Sequence, residues 1–80
     1  MSTLSNAEVD VNAYYFAGKD MKSFPRRISV GDRAVTFADG LRVAVQRGGQ
    51  LTYLFDMLAT DGGTYRLRQS GSQWTLLEAR

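Results

Sequence analysis

The sequence predicts an all-β domain: an antiparallel meander of six strands over residues 26–78, curled into a barrel or half-barrel, with an N-terminal segment as a seventh strand. Three observations predict it. Beyond Pro25, the one proline, apolar and polar residues alternate over short stretches. Glycine clusters at Gly31, Gly40, Gly48/Gly49, Gly62/Gly63 and Gly71 punctuate those stretches roughly every 8 to 12 residues, the spacing of successive hairpins. And 80 residues make one domain, too short for a second sheet, so an apolar sheet face must curl on itself, be covered by the N-terminal segment or meet another copy.

Taken in order, residues 1–7 read as a frayed tail. The following stretch is ambiguous. Ser5 with Glu8 three residues later is a capping-box pattern, and Val9, Ala13 and Phe16 would then share a helical face ending at Gly18, which makes an α+β roll with a helix on the sheet the alternative fold. Val9, Val11, Tyr14, Tyr15 and Phe16 are β-branched or aromatic, however, and favour a strand over residues 12–17. Pro25 fixes its own backbone and pushes Phe24 into an extended conformation, marking a boundary at residues 22–25.

The strands expected after it are 26–30, 33–37, 41–46, 51–59, 64–69 and 73–78. A two-residue Gly31-Asp32 loop places Ile28 opposite Val35. Three-residue loops at Ala38-Asp39-Gly40, Arg47-Gly48-Gly49 and Asp61-Gly62-Gly63, each ending in glycine, set Phe37 against Leu41, Leu41 against Phe55 and Met57 against Leu67. A Ser70-Gly71 loop sets Leu67 against Trp74. One face then collects Ile28, Val30, Val35, Phe37, Leu41, Val43, Val45, Leu51, Tyr53, Phe55, Met57, Tyr65, Leu67, Trp74 and Leu76 as the core. The other face is wet, as in many antiparallel sheets.

Composition excludes much chemistry. Without His or Cys the chain builds no Ser/His/Asp triad, Cys nucleophile, structural zinc site or disulfide. Asp32, Asp39 and Asp61 fall in turns, where Asp bonds its local backbone, and none forms a catalytic pair. No catalytic residue, metal site or cofactor is expected. Apolar runs such as residues 13–17 fall far short of the roughly 20 residues that cross a bilayer, and no secretion signal is evident; the chain reads as a single soluble, cytoplasmic domain spanning 1–80.

Net charge is +2, unevenly spread: −1 over residues 1–25 and +3 over residues 26–80, where eight Arg face five acids. That is a mild basic bias rather than a nucleic-acid-binding tail. The aromatics Phe37, Tyr53, Phe55, Tyr65 and Trp74 would make a base-stacking platform only if they faced outward, and the registers turn them inward. The outer face is expected to carry Arg27, Arg42, Arg66 and Arg68, with Asp56 opposite Arg68 and with Leu54 and Leu58 among them. Mixed Leu and Arg suits a protein interface, whose buried centre is depleted in Lys and enriched in Arg. Tyr14, Tyr15 and Phe16 are consecutive, so a strand must turn some of them, Tyr14 and Phe16 as candidates, outward. The expectation is a non-catalytic binding module that contacts another protein or a second copy of itself as a dimer. Phosphate-backbone binding of nucleic acid through the Arg face is the alternative, and a small-molecule carrier ranks last.

Overall fold

A computed structural model describes residues 6–80, and six antiparallel strands close into a barrel in chain order. They are β1 (Ala7–Ala17), β2 (Lys22–Val30), β3 (Arg33–Arg47), β4 (Gln50–Ala59), β5 (Thr64–Ser70) and β6 (Gln73–Ala79). The expected all-β meander is the architecture of the chain, and no helix occurs among the described residues. The N-terminal segment is a strand, longer than expected and integral to closure: Ala7, Glu8 and Val9 pair with Leu76, Thr75 and Trp74. The frayed-tail reading therefore fails at Ala7, and its residues 1–5 lie outside the described residues.

Six strands are present, but the division of residues 26–78 into strands needs a correction. Residues 33–37 and 41–46, expected as two strands of a hairpin, are one continuous strand. A three-residue hairpin of the expected kind needs its glycine at positive φ. Gly40 is not among the glycines with positive φ, so the chain bends here instead of reversing. The bend is a bulge between Phe37, opposite Ala59, and Asp39, opposite Leu58, and the Asp39 carboxylate accepts the Gly40 N–H at 2.8 Å.

Bulges explain how so short a chain makes a barrel. β3 pairs with β2 over residues 33–36 and with β4 from Phe37 onward. β1 pairs with β6 over residues 7–9 and with β2 over residues 10–17, with irregularities between Val11 and Tyr14. A bulge bends its strand and increases its twist, which lets β1 and β3 each turn a corner from one sheet to the next.

Three other registers differ from the expected ones, the first for a local reason. Gly48 and Gly49 have φ of 58° and 80°, the signature of a two-residue type I′ turn, so Arg47 pairs with Gln50 and Val45 with Thr52. Leu41 consequently faces Asp56 rather than Phe55. Across β4 and β5, Asp56 faces Arg66 and Met57 faces Tyr65; across β5 and β6, Leu67 faces Leu76 and Gln69 faces Trp74.

The core is Val9, Ile28, Val35, Phe37, Phe55, Met57, Ala59, Leu67, Trp74 and Leu76. Phe55 is its hub: its ring lies 5.0 Å from Trp74 and 6.1 Å, edge-on, from Phe24. Val30, Val45, Tyr53 and Tyr65 are only half-buried, and Leu41, Val43 and Leu51, expected inside, are exposed. The bulge accounts for Leu41 and Val43. By adding one residue to β3 it reverses the inward parity, so that Gly40 and Arg42, not Leu41 and Val43, share the face of Met57 and Phe55.

Beyond Thr36 the β2–β3 ladder ends, and two arginines bridge the seam that opens. Arg26 donates from Nη1 to the Phe37 carbonyl at 3.0 Å, with its guanidinium 4.0 Å from the centre of the Tyr15 ring. Arg42 donates from Nη1 to the Ser23 carbonyl at 3.4 Å, over Tyr53 at 4.3 Å. Each cation thus sits on an aromatic face and ties its strand to the opposite backbone.

Tyr15 stacks on Phe24 at 5.2 Å, and its hydroxyl is closed off without a hydrogen-bond partner among the described residues. Burial, then the Asp39 carboxylate, push its pKa above the ordinary 10, with Arg26 opposing. The folded chain therefore holds this proton more tightly than the unfolded chain. The associated stability is complete below pH 10 and is lost as pH rises through the folded-state value. Tyr15→Phe removes the unpartnered hydroxyl and is expected to stabilise the fold by about 1 kcal/mol. It should also flatten the alkaline decline, which urea titrations between neutral pH and pH 11 would measure; a less stable variant would mean that the hydroxyl is satisfied in solution.

Candidate functional site

The outer surface of β3, β4 and β5 follows from the ladder. Directly paired residues share a face, so Leu41, Val43 and Val45 line up beside Asp56, Leu54 and Thr52, and those beside Arg66, Arg68 and Ser70. Leu58 continues the β4 row, between Asp39 and Thr64. Leu41 is 70% exposed, Val43 56% and Leu58 43%, while Leu54 and Val45 are half-buried between their neighbours. These five residues form an apolar strip across adjacent strands. Asp39 stands at one end of its β3 row and Arg47 at the other.

A shallow groove of about 380 Å³ borders the strip at Asp39, Leu41, Asp56, Leu58 and Arg66. A second, of about 270 Å³, borders it at Val45, Arg47, Thr52, Leu54 and Arg68. The strip therefore has relief on both flanks, as a surface that receives side chains would.

Of the expected Arg face, the structure keeps two members together. Arg66 and Arg68 lie on the outer side of β5. Arg66 is engaged by Asp56 through Nε–Oδ1 at 2.7 Å and Nη2–Oδ2 at 3.4 Å, not Arg68 as the expected register had it. That carboxylate raises the Arg66 pKa further above its ordinary value, so the guanidinium stays cationic. Arg68 lies between Leu54 and Thr75 and has no carboxylate partner among the described residues. Arg27 is exposed but sits on β2, between Ala13 and Thr36, in the other sheet. Arg42 was expected outside and is turned inward at the seam, because the bulge reverses parity and Tyr53 offers its ring. The four arginines do not form one surface.

Leu54 and Leu58 are on the outer face as expected. Tyr14 and Phe16 are exposed on β1, with the Tyr14 ring 6.2 Å from Trp74. They present aromatic surface on a different part of the barrel from the β3–β4 strip. Leu41, Val43 and Val45 were missed as surface residues. The signal that finds them is the Gly48-Gly49 pair itself, a strong two-residue hairpin pattern that sets Val45 across from Thr52. Comparison with protein-family models, with curated proteins and with solved structures finds no match to this chain.

Proposed function

We propose that this domain is a non-catalytic protein-interaction module that associates with a second copy of itself through the outer surface of β3 and β4. The observation that carries the reading is the exposed strip of Leu41, Val43 and Leu58 on neighbouring ladder positions. Covering large aliphatic side chains that stand side by side in water on a rigid sheet lowers the free energy. The strip's ends favour a second copy as the cover: Asp39 and Arg47 carry opposite charge, so the row is complementary to itself when turned end for end. Arg66, already held by Asp56, suits the polar rim of such a contact.

Sedimentation equilibrium tests it. The wild-type chain is expected to associate as its concentration rises, and the triple variant Leu41→Gln, Val43→Thr, Leu58→Gln to remain monomeric over the same range with an unchanged far-UV spectrum. A wild-type chain that stays monomeric at high concentration overturns the reading. So does salt-sensitive retention on duplex and single-stranded DNA that disappears when Arg66 and Arg68 become Gln, because that result assigns the surface to phosphate contacts.

A further inference from the structure

The edge of β3 specifies how two copies meet. From Phe37 to Arg47 this strand pairs with β4 on one side, and among the described residues no strand pairs with its other side beyond Thr36. The type I′ turn fixes which backbone groups face the free side. Its closing pair, Arg47 and Gln50, is bonded across the turn, so the N–H and C=O groups of residues 41, 43, 45 and 47 point to β4. Those of Arg42, Ala44 and Gln46 then point away from β4. Gly40 agrees with this alternation, because its N–H is taken by the Asp39 carboxylate rather than by β4.

An edge of this kind pairs with another strand unless it is protected. Protection is weak here. Residues 41–47 contain no proline and no lysine, and Arg42, the one charge in the middle, runs under the sheet onto Tyr53 and across the seam to the Ser23 carbonyl, so it does not stand outward on the edge. Ala44, at the centre, is small and exposed.

We propose that two copies of this chain join by antiparallel pairing of their free β3 edges about a two-fold axis at Val43, making one continuous sheet across the dimer. The proposal rests on the self-association reading and adds its geometry. An axis at Val43 sets Val43 against Val43 of the second copy, Leu41 against Val45, and Asp39 against Arg47, all on the outer face. The backbones of Arg42 and Ala44 then bond each other, and the outward pairs are the closely spaced ones, with Cα atoms about 4.5 Å apart. Neighbouring registers are worse. An axis at Arg42 sets that cation against itself, and an axis at Ala44 sets Leu41 against Arg47 and leaves Asp39 without a partner. Charge complementarity and apolar matching thus select one register, and the apolar strips of the two copies become contiguous.

The full-length chain tests this with two variants. Ala44→Pro removes an N–H that points away from β4, so it costs no bond inside the barrel and blocks only the edge. At concentrations low enough to keep both chains monomeric it should leave the melting curve unchanged, while at higher concentration it weakens association at least tenfold. Val43→Cys puts one thiol in an otherwise cysteine-free chain on the axis, at a spacing a disulfide accepts. Mild oxidation should yield a covalent dimer from Val43→Cys but none from Leu58→Cys, which lies on the same face away from the axis. Association of the Ala44→Pro chain at wild-type strength, or cross-linking by Ala44→Cys in place of Val43→Cys, overturns the edge geometry while the self-association reading stands. A wild-type chain that remains monomeric overturns both.

Discussion

Phe55→Ala is expected to cost about 3–5 kcal/mol, and Leu41→Ala less than about 0.5 kcal/mol, although the two residues read as equivalent core positions in the sequence. Phe55 is 1% exposed and packs against Trp74 and Phe24, so its truncation removes ring contacts on both sides and leaves a cavity. Leu41 is on the outer face beside Asp56, and in the monomer its side chain is already in water. A domain of this length is stabilised by only roughly 4–12 kcal/mol in total, so Phe55→Ala removes a large share of it and, at the lower end of that range, leaves much of the chain unfolded at room temperature. Phe55→Leu, expected to cost less, keeps the comparison measurable if the alanine variant does not fold. Trp74, the one tryptophan, reports directly, since its ring is 5.0 Å from Phe55. Urea titrations followed by its fluorescence, at concentrations low enough to suppress association, give both values. The reverse order would mean that residues 41–46 fold back over residues 33–37, the hairpin that the glycine at position 40 suggests.

That hairpin shows where sequence periodicity stops being informative. Alternation identifies which residues share a face only while the strand is regular. Val35, Phe37, Leu41, Val43 and Val45 are all odd-numbered, and a reversal after Phe37 keeps them together. A bulge after Phe37 divides them, and nothing in the alternation distinguishes these two outcomes. The glycine clusters marked the chain reversals at Gly31, Gly48/Gly49, Gly62/Gly63 and Gly71, and Ile28 does face Val35. Arg42 was illegible for a related reason. A charge at an inward position looks wrong until the seam supplies a carbonyl at Ser23 and a ring at Tyr53, and both come from residues distant in sequence. In β1 the local signals conflicted, and pairing with β6 decided for a strand. On the candidate surface, Leu54, Leu58, Arg66 and Arg68 could be placed from alternation because β4 and β5 are regular between Thr52 and Leu58. Leu41 and Val43 could not be placed from alternation; only the two-residue turn at Gly48-Gly49, which sets Val45 across from Thr52 and so implies the bulge, turns them outward.

The corner that creates this surface depends on Gly40, and Gly40→Ala is expected to destabilise the fold by about 1–3 kcal/mol. The cause is space, not backbone strain, since this glycine is not in the positive-φ region. A Cβ at this position would overlap Sδ and Cε of Met57 and lie 3.2 Å from the Asp56 carbonyl. Met57 is 1% exposed and pairs directly with Gly40, so its thioether has little free volume into which to retreat. Met57→Ala alone should cost about 2–5 kcal/mol by leaving a cavity. In the double variant the new methyl meets no thioether, and the combined loss should fall short of the sum by about 1 kcal/mol, a coupling that a double-mutant cycle resolves. Strict additivity would show that Met57 yields freely and that the glycine serves the bend in another way. The same variants connect the corner to assembly. β3 leaves β2 because it bends here, and that departure exposes the edge at Ala44. If Gly40→Ala relieves its clash by opening the corner, association should weaken in parallel with stability, whereas relief by movement of Met57 within the core would leave the edge, and the dimer, as they were.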